Sequence, residues 1–217
     1  MGGAGGGAGG NQSVEFFDAQ FRRQVQAHDF ELNPFETRAL GHLAGTVLDL
    51  GCGLGNLALE AVRHGHEVMA VDASPAAIAR IAATAQHEGL PLRALEADLA
   101  RWEIDRDYTT IVAIGLLMFF PRERALGLLR DIQEHVEPGG RAIVNVLVEG
   151  TTFMDMFQPG GFYLFGRGEL EERFAGWRIL SSEHETFPAP GDTRKEFSTV
   201  IAEKPTAATR RGDADPK

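Results

Sequence analysis

Positive charge, cysteine and long apolar runs are all scarce in this chain, and each shortage removes a class of function. Among 217 residues, 21 lysines and arginines stand against 31 aspartates and glutamates, for a net charge of -10 and a pI near 5.2. Binding along a phosphate backbone relies on clustered cations that displace counterions, so this balance argues against a nucleic-acid partner and for a small-molecule substrate. A single cysteine, Cys52, excludes an internal disulfide and a thiolate zinc site. With no signal peptide ahead of the fold, a reducing cytoplasm is the expected location. No apolar run is long enough to span a bilayer, so no membrane partner is expected. No histidine pair has metal-ligand spacing, and His28, Asp29 and Glu31 would meet at a cation only by coincidence, so no metal is expected.

What is present is an ordinary globular composition, 43% hydrophobic and 24% charged residues, in a length that suits one domain able to bury a full core. The chain opens with nine residues of glycine and alanine after Met1, which have nothing to bury. Residues 1–12 are therefore expected as a tail, 13–204 as the domain, and 205–217 as a second, solvated tail. A monomer or a homodimer is expected.

The domain is organised around Val47-Leu48-Asp49-Leu50-Gly51-Cys52-Gly53-Leu54-Gly55-Asn56. Its start reads as a buried strand, and Leu57 to Val62 resumes at helical spacing, so the glycines occupy a tight strand-to-helix turn. Glycine suits such a turn because a ligand must approach bare backbone and because positive φ is tolerated there. The dinucleotide fingerprint asks for Gly or Ala where this chain has Asn56, which disfavours a dinucleotide-dependent oxidoreductase.

Before this stretch, Phe16, Phe17, Phe21 and Val25 recur at helical spacing from Ser13, Asn33-Pro34 interrupts, and Phe35 to Leu43 reads as a second helix. After it come a strand, Glu67 to Asp72, and a helix capped by Ser74 with Pro75 that runs to about Glu88, where Gly89 stops it. Leu92 to Ala97 reads as the third strand and Tyr108 to Ile114 as the fourth. A helix from Pro121 carries Leu129, Ile132 and Val136 to a stop at Pro138-Gly139-Gly140, and Arg141 to Val148 is the fifth strand. Thr151 to Phe165, rich in Met and Phe and broken by Pro159-Gly160-Gly161, reads as an active-site lid. A short helix from Glu169 to Phe174 precedes two closing strands, Trp177 to about Thr186 and Phe197 to about Glu203. The expected fold is α/β: a doubly wound, mostly parallel seven-stranded sheet with an antiparallel last strand and extra N-terminal helices.

The series Asp49, Gly51, Gly53, Gly55, with Asp72 ending the next strand, resembles motif I of the class I S-adenosylmethionine-dependent methyltransferases. That resemblance implies S-adenosylmethionine as cofactor. It also implies a loop of Asp49, Gly51, Cys52, Gly53, Gly55 and Asn56 around its amino-acid part, and Asp72 with Ala73 at the ribose. Asp98 would accept from the adenine amino group, with Ala97, Leu99 and Ile114 adjoining. In that fold class the N-terminal helices lie beside the cofactor, which brings Phe17 and Arg22, with Phe16 and Phe21, to the substrate.

Three further segments, Leu117-Met118-Phe119, Phe165 through Trp177 and Phe197 through Ala202, resemble the tellurite-resistance protein B family, small cytoplasmic enzymes that methylate tellurite, selenite and related chalcogen compounds. Met118, Phe119 and Phe162 would then wall the substrate. A family histidine proposed to act on the substrate falls on His184, counted back from Phe197, as the catalytic residue; the arginine beside it falls on Glu185, whose carboxylate would repel an oxyanion. Arg22, Arg167 or Arg194 could supply the missing charge. Two other readings stay open, an O- or N-methyltransferase of a small organic metabolite and a non-catalytic S-adenosylmethionine-binding protein.

Overall fold

The computed structural model describes residues 12–27 and 30–206. Most of the two expected tails, the Phe16 side chain, His28 and Asp29 lie outside the described part.

Seven strands make one sheet: β1 (Thr46–Leu50), β2 (Glu67–Asp72), β3 (Arg93–Glu96), β4 (Tyr108–Ile114), β5 (Val136–Leu147), β6 (Arg178–Ala189) and β7 (Thr193–Glu203). Their order is β3-β2-β1-β4-β5-β7-β6, with β7 antiparallel to both of its neighbours and the remaining pairings parallel. The helices are α1 (Gln12–Ala27), α2 (Pro34–Leu40), α3 (Asn56–Arg63), α4 (Pro75–Glu88), α5 (Arg122–His135) and α6 (Glu169–Arg173). No helix among the described residues is long and apolar enough to cross a membrane.

Strand alternation splits the core into two layers. Leu48, Leu50, Ile111 and Val144 pack with Leu128, Leu129 and Ile132 of α5 and with Leu170 of α6. Val47, Val68, Val112, Ile143 and Ile201 face the other way, onto Leu57 and Ala61 of α3, Ile81 of α4 and Ala39 of α2. Because both faces of β1 are covered, every residue from Val47 to Leu50 is buried, Asp49 included. The edge strands β3 and β6 are largely exposed and charged, which keeps them from pairing with other chains.

Several boundaries differ from those expected. α2 is closed by Asn33, whose side chain accepts from the Phe35 and Glu36 amides, and ends at Leu40. Val136, expected on the α5 helix face, begins β5 instead: Gly139 N donates to Lys204 O and Lys204 N to Gly140 O, each at 2.9 Å, so the Pro-Gly-Gly stretch extends toward the end of β7. The Lys204 ammonium closes α5 by donating to the Gln133, Glu134 and Val136 carbonyls. The closing hairpin is longer than expected, with β6 reaching Ala189 and β7 starting at Thr193, since pairing continues out to the turn at Asp192 (φ 57°).

Thr151 to Phe165 has no helix or strand, as expected, but it is fastened down. Phe165 N donates to Leu147 O at 3.2 Å, Tyr163 N to Met118 O at 3.0 Å, and Phe153, Met156 and Phe157 are buried against Met118 and Leu147.

Candidate active site

The strand order reverses between β1 and β4, and where their carboxyl ends part a cavity of about 440 Å³ opens. Its floor is the turn from β1 into α3. Gly51 N and Cys52 N donate to Val71 O at 2.8 and 3.2 Å, tying the turn to the end of β2. The Asp72 carboxylate then accepts from Gly53 N at 2.9 Å through one oxygen and from Ser74 N at 2.8 Å through the other, so a single side chain sets both the loop and the entrance of α4. Glycine is required for room as well as for backbone conformation. A Cβ at Gly55 (φ 72°) would lie 2.5 Å from Cγ1 of buried Ile81, and one at Gly51 (φ 68°) 2.9 Å from Leu116 Cδ1.

Of the residues expected at a cofactor, Asp49, Gly51, Cys52, Gly53 and Asn56 from the loop border the cavity, as do Asp72 and Ala73 after β2 and Asp98, Leu99 and Ile114 after β3 and β4. Gly55 and Ala97 do not: Gly55 packs on Ile81, and Ala97 N donates to Asp72 O at 2.9 Å. Asp98 also holds its own turn by accepting from Ala100 N at 3.0 Å. Burial, reinforced by Glu36 and Asp72, pushes the Asp49 carboxyl up to about 8. Glu36 is raised too, by burial, against the lowering effect of the Asn33 amide it accepts from at 2.8 Å. Burial pushes the Cys52 thiol up as well, which makes it a packing group and not a nucleophile.

The opposite wall is apolar. Phe17, Met118 and Phe119 border the cavity, with Phe17 and Phe119 edge to face at 5.0 Å. Phe162 stacks on Phe157 at 4.8 Å and, like exposed Arg22 on α1, falls outside the cavity lining. The wall is completed by Met156 of the expected lid and by residues that sequence reasoning passed over: Phe35, Asn145, Leu147, Lys195 and Phe197. Asn145 did carry a signal, a lone amide inside the apolar run of β5; it donates to Thr199 Oγ1 at 2.8 Å, and its own Oδ1 is buried without a partner.

Strand parity moves the expected catalytic histidine off this site. Lys195 and Phe197 share the cavity face of β7, and their register partners Phe187 and Glu185 share that face of β6. His184 therefore points to the face covered by α6, where Nε2 lies 3.1 Å from Glu171 Oε1 and the side chain is 51% exposed. Glu185 does turn toward the cavity side, yet Arg38 of α2 holds it in a fork at 2.9 and 3.3 Å, so its charge is neutralised. Arg167 and Arg194 both pair with Glu196, at 3.8 and 2.9 Å, and neither they nor Arg22 border the cavity. Among the described residues no group of histidine, cysteine and carboxylate side chains is arranged to hold a metal ion.

This sheet order, with one antiparallel strand and a glycine loop at the switch point, defines the class I S-adenosylmethionine-dependent methyltransferase fold. The chain spans 67% of the crystal structure of TehB from Haemophilus influenzae, superposing with a TM-score of 0.71 over 88% of its own length at 23% identity. Residues 47–140 match the family profile described as a methyltransferase domain. The chain is 32% identical to demethylmenaquinone methyltransferase of Thermus thermophilus over 80% of its own length and 78% of that protein. It is 30% identical to the probable S-adenosyl-L-methionine-dependent methyltransferase TehB of H. influenzae over 73% of this chain and 57% of that protein, so it spans little more than half of that relative. Hemagglutinin 1 of Eikenella corrodens is 35% identical over 88% of this chain and 70% of that one. The chain belongs to the class I S-adenosylmethionine-dependent methyltransferases, and its cofactor is S-adenosylmethionine.

The residues present fit that cofactor. Asp49 is buried, raised and beside two further carboxyls, a setting that a ligand ammonium or sulfonium relieves. The buried acceptors Asn56 Oδ1 and Asn145 Oδ1 border the same cavity with no protein donor, and the cofactor carries donors to satisfy them.

Proposed function

We propose that this enzyme methylates a small, soft nucleophile, a tellurite- or selenite-like chalcogen oxyanion or a thiolate, in the cavity between the β1 loop and the Phe17–Phe119 wall. Asp49, Gly51, Gly53 and Asn56 hold the amino-acid end of the cofactor, Asp72 its ribose, and Asp98 with Leu99 its base. When bound, the cofactor would supply a methyl group carried on its sulfonium, the acceptor's lone pair forming the new bond to that methyl carbon and the pair of the broken carbon–sulfur bond going to sulfur.

The observation that carries this reading is the character of the acceptor wall. Phe17, Met118, Phe119, Leu147, Met156 and Phe197 present apolar side chains to the acceptor, and no histidine or tyrosine stands among the described lining residues. Desolvation and positioning suffice for a nucleophile that arrives ionised, whereas an alcohol or phenol asks for a base at the reacting atom. The TehB name of one relative supports the chalcogen acceptor, and the negative balance of the chain supports a small molecule over a nucleic acid.

The test is titration with S-adenosylhomocysteine beside NAD, followed by a methyl-transfer screen over selenite, tellurite, thiols and small phenols. Micromolar binding of the homocysteine compound and turnover of a chalcogen or thiol are expected; turnover of phenols alone would overturn the acceptor assignment. Asp72→Ala removes both the ribose contact and the clamp on Gly53 and Ser74, and is expected to weaken that binding by roughly 10- to 100-fold; unchanged affinity would take Asp72 out of the site.

A further inference from the structure

Lys195 is the one basic side chain among the described residues lining the cavity. It stands on β7, which is separated from β1 by β4 and β5, about 14 Å across the sheet at ordinary strand spacing. The carboxyls at the ends of β1 and β2, Asp49 and Asp72, are thus on one side of the cavity and this cation on the other. Its chain neighbours Arg194 and Glu196 point to the opposite sheet face and pair with each other at 2.9 Å. No salt bridge to Lys195 occurs among the described residues; its ammonium sits 4.9 Å from the centre of the Phe153 ring, part of the buried cluster behind the acceptor wall.

A half-buried cation with an aromatic face and no carboxylate loses hydration without full electrostatic compensation, and burial accordingly lowers the Lys195 pKa from its ordinary value. An anionic ligand in the cavity would restore the missing partner. The guanidinium that the tellurite-resistance resemblance places at residue 185 is absent, and Arg38, which approaches that point, is committed to Glu185.

We propose that Lys195 is the positioning residue that selects an anionic methyl acceptor, holding the acceptor's charge against the Phe197 wall with its lone pair free for the methyl group. This rests on the reading of the cavity as the methyl-transfer site. In the transfer the acceptor gains a methyl group and one unit of positive charge, the sulfur keeps the pair from the broken bond, and Lys195 neither gives nor takes a proton.

The experiment is calorimetric titration of selenite into protein saturated with S-adenosylhomocysteine, for the wild type, Lys195→Met and Lys195→Arg. Selenite affinity is expected to fall at least roughly tenfold in Lys195→Met and to stay within about threefold in Lys195→Arg. Homocysteine-compound affinity should be equal in all three, which also shows that the variants are folded. Undiminished selenite binding by Lys195→Met, equal losses in the two variants, or a wild type that binds the homocysteine compound and no selenite would each overturn the role of Lys195 while the methyltransferase reading stands. Failure of the wild type to bind the homocysteine compound at all would instead overturn the reading beneath it.

Discussion

The two halves of the cavity are built in different ways. The cofactor half comes from consecutive turns at the ends of β1, β2 and β3, so its groups lie close together in sequence and its decisive contacts are backbone ones, such as Gly53 N to Asp72 at 2.9 Å. The acceptor half is drawn from α1, the turn after β4, the ends of β5 and β7 and the 151–165 segment, and its contacts are between side chains, such as Phe17 against Phe119 and Lys195 over Phe153. Backbone geometry tolerates little substitution, whereas a wall of side chains can be repacked one residue at a time. Within one fold, therefore, the first half is suited to the shared cofactor proposed for it and the second to variation in the acceptor.

The sharpest way to break the first half is at Gly55. Gly55→Val forces a β-branched residue into positive φ and onto Ile81, which should cost about 4 kcal/mol and lower the melting temperature by roughly 10 °C, with loss of cofactor binding. A thermal melt unchanged by this substitution would mean that the turn is not the rigid element described.

Asp49 tests the electrostatics of the same half. Its folded pKa, about 8, lies above the unfolded value of 3.8, so the folded cofactor-free protein binds more protons than the unfolded chain between these values. The stability due to this group is complete below pH 4 and is lost as pH rises through 8. Asp49→Asn should flatten that part of the curve, on the order of a few kcal/mol between pH 5 and pH 9, in denaturant titrations without cofactor. Curves that stay parallel for the two proteins would show that Asp49 is relieved within the protein itself.

The smallest effect is expected where the acceptor half ends. His184→Ala, on the far face of β6, should change kcat/KM less than about twofold and stability by under about 1 kcal/mol, because its exposed pairing with Glu171 is a surface contact. A hundredfold loss of activity would bring His184 back into the site and redraw the boundary between the two halves.

How much was legible follows the same division. The βαβ order, the glycine turn and Asp72 were readable because hydrophobic period, turn chemistry and the strand-end carboxylate are local properties. Ala97 and Gly55 were near misses, correctly placed in the chain but used for the scaffold. His184 was misplaced by one position of strand parity, since the face a strand residue occupies depends on the register of the β6–β7 hairpin, and Pro188 and the turn near Asp192 do not announce that register. Phe162 shares the composition of the wall yet packs beside Phe157 outside the lining, and Arg22 is exposed on α1 away from it.

By itself, then, the sequence determined the fold class, the cofactor and the glycine loop at the cavity floor, because these depend on which residue types the backbone tolerates at neighbouring positions. Only the tertiary structure decided which face His184, Glu185 and Lys195 occupy, which cation is committed to a carboxylate and which is left to the cavity, because side chains from strands distant in the chain meet only when the sheet sets their register.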